Sequence, residues 1–122
     1  MENLYIARTS SSPEISLDST TARLYIKGES FMESPSKFYA QVVDWMVEFF
    51  KTYCGKIVLD FEFIYYNSST FKEILNIFDE ITVLKPDIEI NWRYCADNYM
   101  ILEYGQELCD EISVPVNLVR ID

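Results

Sequence analysis

A chain of 122 residues, 49% hydrophobic and 16% aromatic, is long enough for one domain with an adequate core and too short for two ordinary ones. Twenty acidic against ten basic side chains leave a formal charge of −10, which repels phosphate backbones and anionic lipid heads and argues against nucleic acid or membrane as partner. The sequence holds no histidine, which removes Ser-His-Asp triads, imidazole bases and His-containing zinc sites.

The start of the chain, Met1-Glu2-Asn3-Leu4, has no basic region followed by an apolar stretch, and no run approaches the ~18 apolar residues of a membrane span. Cys54, Cys95 and Cys109 are odd in number and lack CxxC spacing, so neither a disulfide framework nor a four-cysteine metal site is suggested. These features predict a soluble protein of a reducing cytoplasm, with no cofactor and no metal.

Short extended patterns at Leu4–Ile6 and Glu14–Leu17 flank a polar stretch, Thr9-Ser10-Ser11-Ser12-Pro13, and predict an N-terminal strand pair. Arg23-Leu24-Tyr25-Ile26-Lys27 alternates with period two, a strand with one wet face that Gly28 is expected to end. Ser34 then Pro35 reads as a capping hydroxyl followed by the residue best tolerated at the first helical position. Phe38, Val42, Trp45, Met46 and Phe49 recur at helical intervals up to Gly55, which predicts a first helix over Pro35–Tyr53.

Ile57, Leu59, Phe61, Phe63 and Tyr65 fill one parity of the next run, and Val58, Asp60, Glu62, Ile64 and Tyr66 the other, as in a central strand buried fully on one side. After Asn67-Ser68-Ser69-Thr70, residues Phe71, Ile74, Leu75, Phe78 and Ile81 predict a second helix to about Leu84. Ile88, Ile90, Trp92 and Tyr94 alternate as another strand, Ile101, Leu108 and Ile112 mark a third helix from near Asp97, and Val114–Leu118 closes the chain as an edge strand tolerating Pro115. Alternation in several strands speaks against a parallel sheet with helices on both faces. The fold class is therefore α/β, a single mixed sheet of five to six strands with helices mainly on one face, N-terminal antiparallel strands being followed by α-β-α-β-α-β.

The hydroxyls Ser68, Ser69 and Thr70 stand where the central strand hands over to a helix, whose free N–H groups and dipole favour negative charge. They are the best candidate site, although capping of the helix together with Asn67 explains them on composition alone; the two roles are compatible. Asp60 and Glu62 share one strand face about 7 Å apart, a spacing that would suit acid/base work or Mg²⁺, but two solvated carboxylates are the better reading. Most Phe and Trp positions follow core periodicity rather than lining a ligand pocket. Tyr25 and Tyr66 fall on the wet parity beside Ile64, an apolar patch suited to a protein partner.

Gly28-Glu29-Ser30 with Glu33, then Tyr66-Asn67-Ser68-Ser69-Thr70-Phe71-Lys72, then Ile90-Asn91-Trp92-Arg93-Tyr94 with Glu103 and Gly105, resemble the SiaC-like family of bacterial regulatory phosphoproteins over nearly the whole chain. The resemblance implies a STAS-like, anti-anti-sigma-factor-like domain that catalyses nothing. It implies Ser68 as phosphoacceptor, with Ser69 and Thr70 as alternatives, and a switch and docking loop of Tyr66, Asn67, Ser68, Ser69, Thr70 and Lys72. It also implies a Ser/Thr protein kinase, a metal-dependent Ser/Thr phosphatase, and a docked target, a diguanylate cyclase or other signalling protein, bound when the loop is unmodified. The sequence departs from the family pattern in placing serine where threonine is usual, Phe71 where a small residue is common, and the uncharged Cys95, Ala96, Asn98 and Tyr99 in a stretch that is acidic elsewhere. A small-molecule-binding STAS-like module and an enzyme using Asp60 and Glu62 are the rival readings, and exposed strand edges leave a weak homodimer open.

Overall fold

The computed structural model describes all 122 residues. Strands β1 (Leu4–Ile6), β2 (Glu14–Asp18) and β3 (Arg23–Ser30) lead to helix α1 (Pro35–Thr52). Strand β4 (Ile57–Tyr66), helix α2 (Ser68–Thr82), strand β5 (Ile88–Tyr94), helix α3 (Tyr99–Glu111) and strand β6 (Val116–Arg120) complete the chain. One six-stranded sheet has the order β1-β2-β3-β4-β5-β6. The β1–β2 and β2–β3 pairs are antiparallel, and β3–β4, β4–β5 and β5–β6 are parallel.

This order explains the one-sided burial that the alternating strands require. Each parallel strand lies directly beside its predecessor, and right-handed crossovers repeated in one direction put every connecting helix on the same face. The covered face carries Ile15, Leu17, Leu24, Ile26, Leu59, Phe61, Ile90 and Trp92, all buried, against Val42, Met46, Ile74, Phe78, Ile101 and Leu108 of the helices. The accessible surface, 6701 Å², is close to the roughly 7,000 Å² expected of a compact chain of this mass.

Boundaries differ from expectation where local chemistry is overruled. Pro35 starts α1, but the Ser34 hydroxyl makes no capping bond. The last strand begins at Val116, two residues later than Val114, and lies at the sheet edge. Gly28 does not end β3: at φ 126° it lies inside a strand that continues to Ser30. Next to it the β3–β4 register slips, Gly28 facing Phe63 and Glu29 facing Tyr65, so Ile64 is an extra residue on β4.

That bulge reverses the parity of the end of β4 and corrects the reading of Tyr66. Ile64 and Tyr65 both face solvent, whereas Tyr66 turns inward and is 1% exposed. Its ring lies 4.4 Å from that of Tyr104, 4.9 Å from Phe63 and 6.0 Å from Trp92 (centroid distances). Tyr66 is therefore a core residue and no part of a docking surface. Burial pushes its hydroxyl pKa far up, and that hydroxyl has no hydrogen-bond partner in the protein. A buried polar group without a partner costs stability, so Tyr66→Phe is expected to melt no lower than the parent. A calorimetric melting temperature several degrees lower would mean that the hydroxyl is used.

Candidate functional site

Four backbone elements converge where the parallel strands end and their helices begin. Asn67, extended at φ −94° and ψ 172°, caps α2: its Oδ1 accepts from the Thr70 N–H at 3.1 Å and from the Ser69 hydroxyl at 2.9 Å. Ser68 is the first residue of α2, exposed, with its hydroxyl held by no protein group. Ser69 is half-buried and engaged by Asn67, and Lys72, one turn after Ser68, is exposed. The capping role read from the sequence thus belongs to the Asn67 side chain, leaving the Ser68 oxygen free.

Thr70 is fully buried and corrects its reading as an alternative acceptor. Its Oγ1 donates to the Ser30 carbonyl at 3.0 Å and lies 2.8 Å from Ser30 Oγ, which is 2.7 Å from the Tyr39 hydroxyl. One proton arrangement satisfies all three hydroxyls: Tyr39 donates to Ser30 Oγ, Ser30 Oγ donates to Thr70 Oγ1, and Thr70 donates to the Ser30 carbonyl. Burial raises the Tyr39 pKa, which keeps it a neutral donor. The same Ser30 carbonyl accepts the Asn67 N–H at 3.2 Å. Ser30 therefore ties the end of β3 to α1 and to the first turn of α2, and no sequence pattern had singled out Ser30 and Tyr39 as a pair.

An apolar cluster, here called the rim, lies at the end of the sheet where β3 and β4 finish and α2 begins. Ile64 and Tyr65 at the bulge, Phe31 just after β3, and Tyr99 and Met100 at the start of α3 are all exposed, Tyr99 by 72%. Phe31 and Tyr65 approach with ring centroids 6.0 Å apart, and Asn98 donates from Nδ2 to the Ile64 carbonyl at 2.9 Å, drawing the start of α3 to the bulge. Asn98 also caps α3 through Ile101 N–H at 3.3 Å. The glycine inside β3 was the available signal for the bulge, since a glycine within a strand often marks one.

Asp60 and Glu62 lie on the open face of the sheet, as expected, and both are paired across strands. Asp60 accepts from Asn91 Nδ2 at 2.8 Å, and Glu62 meets Arg93 at 3.0 Å and Lys27 at 3.3 Å. Asn91 also donates to Glu89 at 3.0 Å and accepts from Asn117 at 3.1 Å. Half-exposed Tyr25 lines the same shallow depression of about 280 Å³ with Glu14, Lys27, Asp60, Glu62 and Arg93. Such a ladder of opposite charges and amides stabilises cross-strand pairing. No trio of acidic or cysteine side chains is grouped to hold a metal ion.

Fold and site together define a small α/β domain, helices on one face, that presents a free hydroxyl at a strand-to-helix junction, with exposed apolar side chains at the same end of the sheet. A family model described as SiaC family regulatory phosphoprotein matches residues 6–121, and the chain belongs to that family. An uncharacterized protein of Pseudomonas aeruginosa strain UCBPP-PA14 is 29% identical over 118 residues, 94% of each chain. The crystal structure of apo-SiaC from Pseudomonas aeruginosa superposes with a TM-score of 0.84 at 27% identity, covering 98% of this chain and 99% of that one. The SiaC chain in a crystal structure of the diguanylate cyclase SiaD in complex with its activator SiaC, from the same organism, gives a TM-score of 0.88 at 27% identity, covering 97% and 99%. No helix of this chain is long and apolar enough to cross a membrane.

Proposed function

We propose that this protein is a cytoplasmic, phosphorylation-switched adaptor that catalyses nothing itself, with Ser68 as the phosphoacceptor and a diguanylate cyclase as the docked target. The observation that carries the reading is the free, exposed Ser68 hydroxyl at the first position of α2, beside a Ser69 held by Asn67 and a Thr70 sealed in the core. The likeness to a SiaC bound to SiaD supports the kind of partner.

In the modification step a protein kinase takes the Ser68 proton while Oγ bonds to the γ-phosphorus of ATP, and the bond to the bridging oxygen breaks to release ADP. A metal-dependent phosphatase reverses the state: water attacks phosphorus, the Oγ–P bond breaks, inorganic phosphate leaves and Ser68 regains its proton. The phosphate adds about −1.5 to −2 charges and three strong acceptors. Its environment favours it in the free protein, because the first turn of α2 offers unpaired N–H groups and Lys72 stands one turn further along the same helix. Against a partner packed on Phe31, Ile64, Tyr65, Tyr99 and Met100, the same dianion must be desolvated, which costs far more than a neutral hydroxyl does. The unmodified form therefore docks and the phosphoform is released.

The test is phosphosite mapping of protein from its own cells by intact-mass and fragment analysis, with capture of the cyclase by wild type, Ser68→Ala and protein carrying phosphoserine at 68. Phosphate at residue 68, with capture kept by Ser68→Ala and lost by the phosphoform, is the expected result. Equal capture by all three would move the switch elsewhere.

A further inference from the structure

Ser30 joins two features that lie apart in sequence. Its carbonyl receives the Asn67 N–H at 3.2 Å and the Thr70 hydroxyl at 3.0 Å, both from the turn that carries Ser68. Its hydroxyl is held by Tyr39 of α1 and by Thr70, and the residue that follows it is Phe31, the rim aromatic set against Tyr65. Ser30, Tyr39 and Thr70 are each fully buried. Buried hydrogen bonds of this kind are strong and leave little slack, so a displacement of the turn is transmitted rather than absorbed.

We propose that Ser30, Tyr39 and Thr70 are positioning residues that convey the modification state of Ser68 to the Phe31–Tyr65 end of the rim. This rests on Ser68 being the modified residue. A phosphate at the first position of α2 competes with the Asn67 side chain for the Thr70 N–H and other first-turn donors, and charge-assisted bonds are roughly twice as strong as neutral ones. Losing that bond lets the turn shift as a unit, the Asn67 carbonyl keeping the Thr70 and Phe71 N–H groups it accepts at 3.1 and 3.3 Å, and the Asn67 backbone N–H withdraws from the Ser30 carbonyl. Ser30 then re-forms its bonds with Thr70 and Tyr39 in a shifted position, and Phe31, one peptide on, moves with it. Phosphorylation thus does two things: it plants a charge beside the rim, and it takes apart the aromatic pair on which a partner packs.

Amide hydrogen exchange on the full chain, with phosphoserine incorporated at 68, tests this without any partner. The reporters are the Asn67 amide, bonded to Ser30, and the Phe31 amide, bonded to the Ser11 carbonyl at 2.9 Å. In wild type the phosphate is expected to speed exchange at both by about five-fold or more, the lower end of ordinary coupling between sites. In Thr70→Val, which keeps shape and removes the hydroxyl, Phe31 exchange is already fast and the phosphate adds nothing, whereas Thr70→Ser restores the response. Tyr39→Phe, which deletes one oxygen, serves if Thr70→Val does not fold, and is expected to weaken the Phe31 response. A phosphate effect confined to Asn67, or one of equal size at Phe31 in wild type and in the hydroxyl-deleted variant, would falsify the relay. Because the modification is installed synthetically, failure of the capture experiment leaves this result standing, and failure here leaves the capture result standing.

Discussion

Gly105→Ala is expected to lower the melting temperature by roughly 5–15 °C, even though alanine is the better helix former by about 1 kcal/mol. The reason is the approach of α3 to the sheet. A Cβ on Gly105 would stand 2.7 Å from Trp92 Nε1 and 2.8 Å from Leu118 Cδ2, and closer still to Trp92 Cδ1. Trp92 cannot yield: it is fully buried, its Nε1 donates to the Ile101 carbonyl at 2.8 Å, and its ring lies 5.5 Å from Phe61 and 5.9 Å from Phe63 (centroid distances). Overpacking of this kind costs about 1–3 kcal/mol net, so it outweighs helix propensity. The displaced element would be α3, which carries Tyr99 and Met100, so partner capture should fall with stability. Calorimetry of the purified variant decides the sign; a higher melting temperature would show that α3 does not rest on Trp92 through this glycine.

Ile64→Glu is expected to weaken capture of the diguanylate cyclase by at least about thirty-fold, the equivalent of a hot-spot loss of roughly 2 kcal/mol, with little change in melting temperature. Ile64 is 50% exposed and packs into no core, because the bulge gives it no opposite number on β3. A surface substitution at such a place moves stability by about 0.5 kcal/mol or less. In the docked state the new carboxylate has to be stripped of water, the same penalty that phosphate on Ser68 imposes. Surface-plasmon titration against the cyclase, with Val83→Glu at the far end of α2 as the comparison, separates local from general effects: Val83 is 73% exposed and lies just beyond α2, away from the rim. Equal affinities for wild type and Ile64→Glu would place the interface on another surface. Of the departures from the acidic family pattern, Tyr99 lies in this rim and Asn98 is bonded to it through the Ile64 carbonyl.

The order of elements and the one-sided sheet were legible in the sequence because both depend on local periodicity. A strand buried on one face must alternate, and Leu24-Tyr25-Ile26 and Ile88-Glu89-Ile90 do so; a helix on that face must repeat every three or four residues, and Ile74, Ile77, Phe78 and Ile81 do so. The hydroxyl cluster Ser68-Ser69-Thr70 was legible for a related reason, since hydroxyls next to Asn at a strand-to-helix junction stand among unpaired N–H groups whatever the remainder of the fold does, whereas Ser68 within it was singled out only by the family resemblance.

The exchange of places between Tyr65 and Tyr66 was not legible. It depends on one residue slipping out of register opposite Gly28, a choice made between strands far apart in sequence, and a slip of one residue sends every later side chain to the opposite face. The removal of Thr70 from the set of reachable hydroxyls was decided in the same way, by Ser30 meeting it in the core across 40 residues of chain, with Tyr39 bonded to the same Ser30 hydroxyl. Sequence by itself determined the sheet with its single helical layer and the turn that offers a hydroxyl, because each is fixed by the spacing of neighbours. Only the tertiary structure decided which hydroxyl is free and which aromatic side chains are exposed at the same end of the sheet, because those depend on register and burial between distant segments.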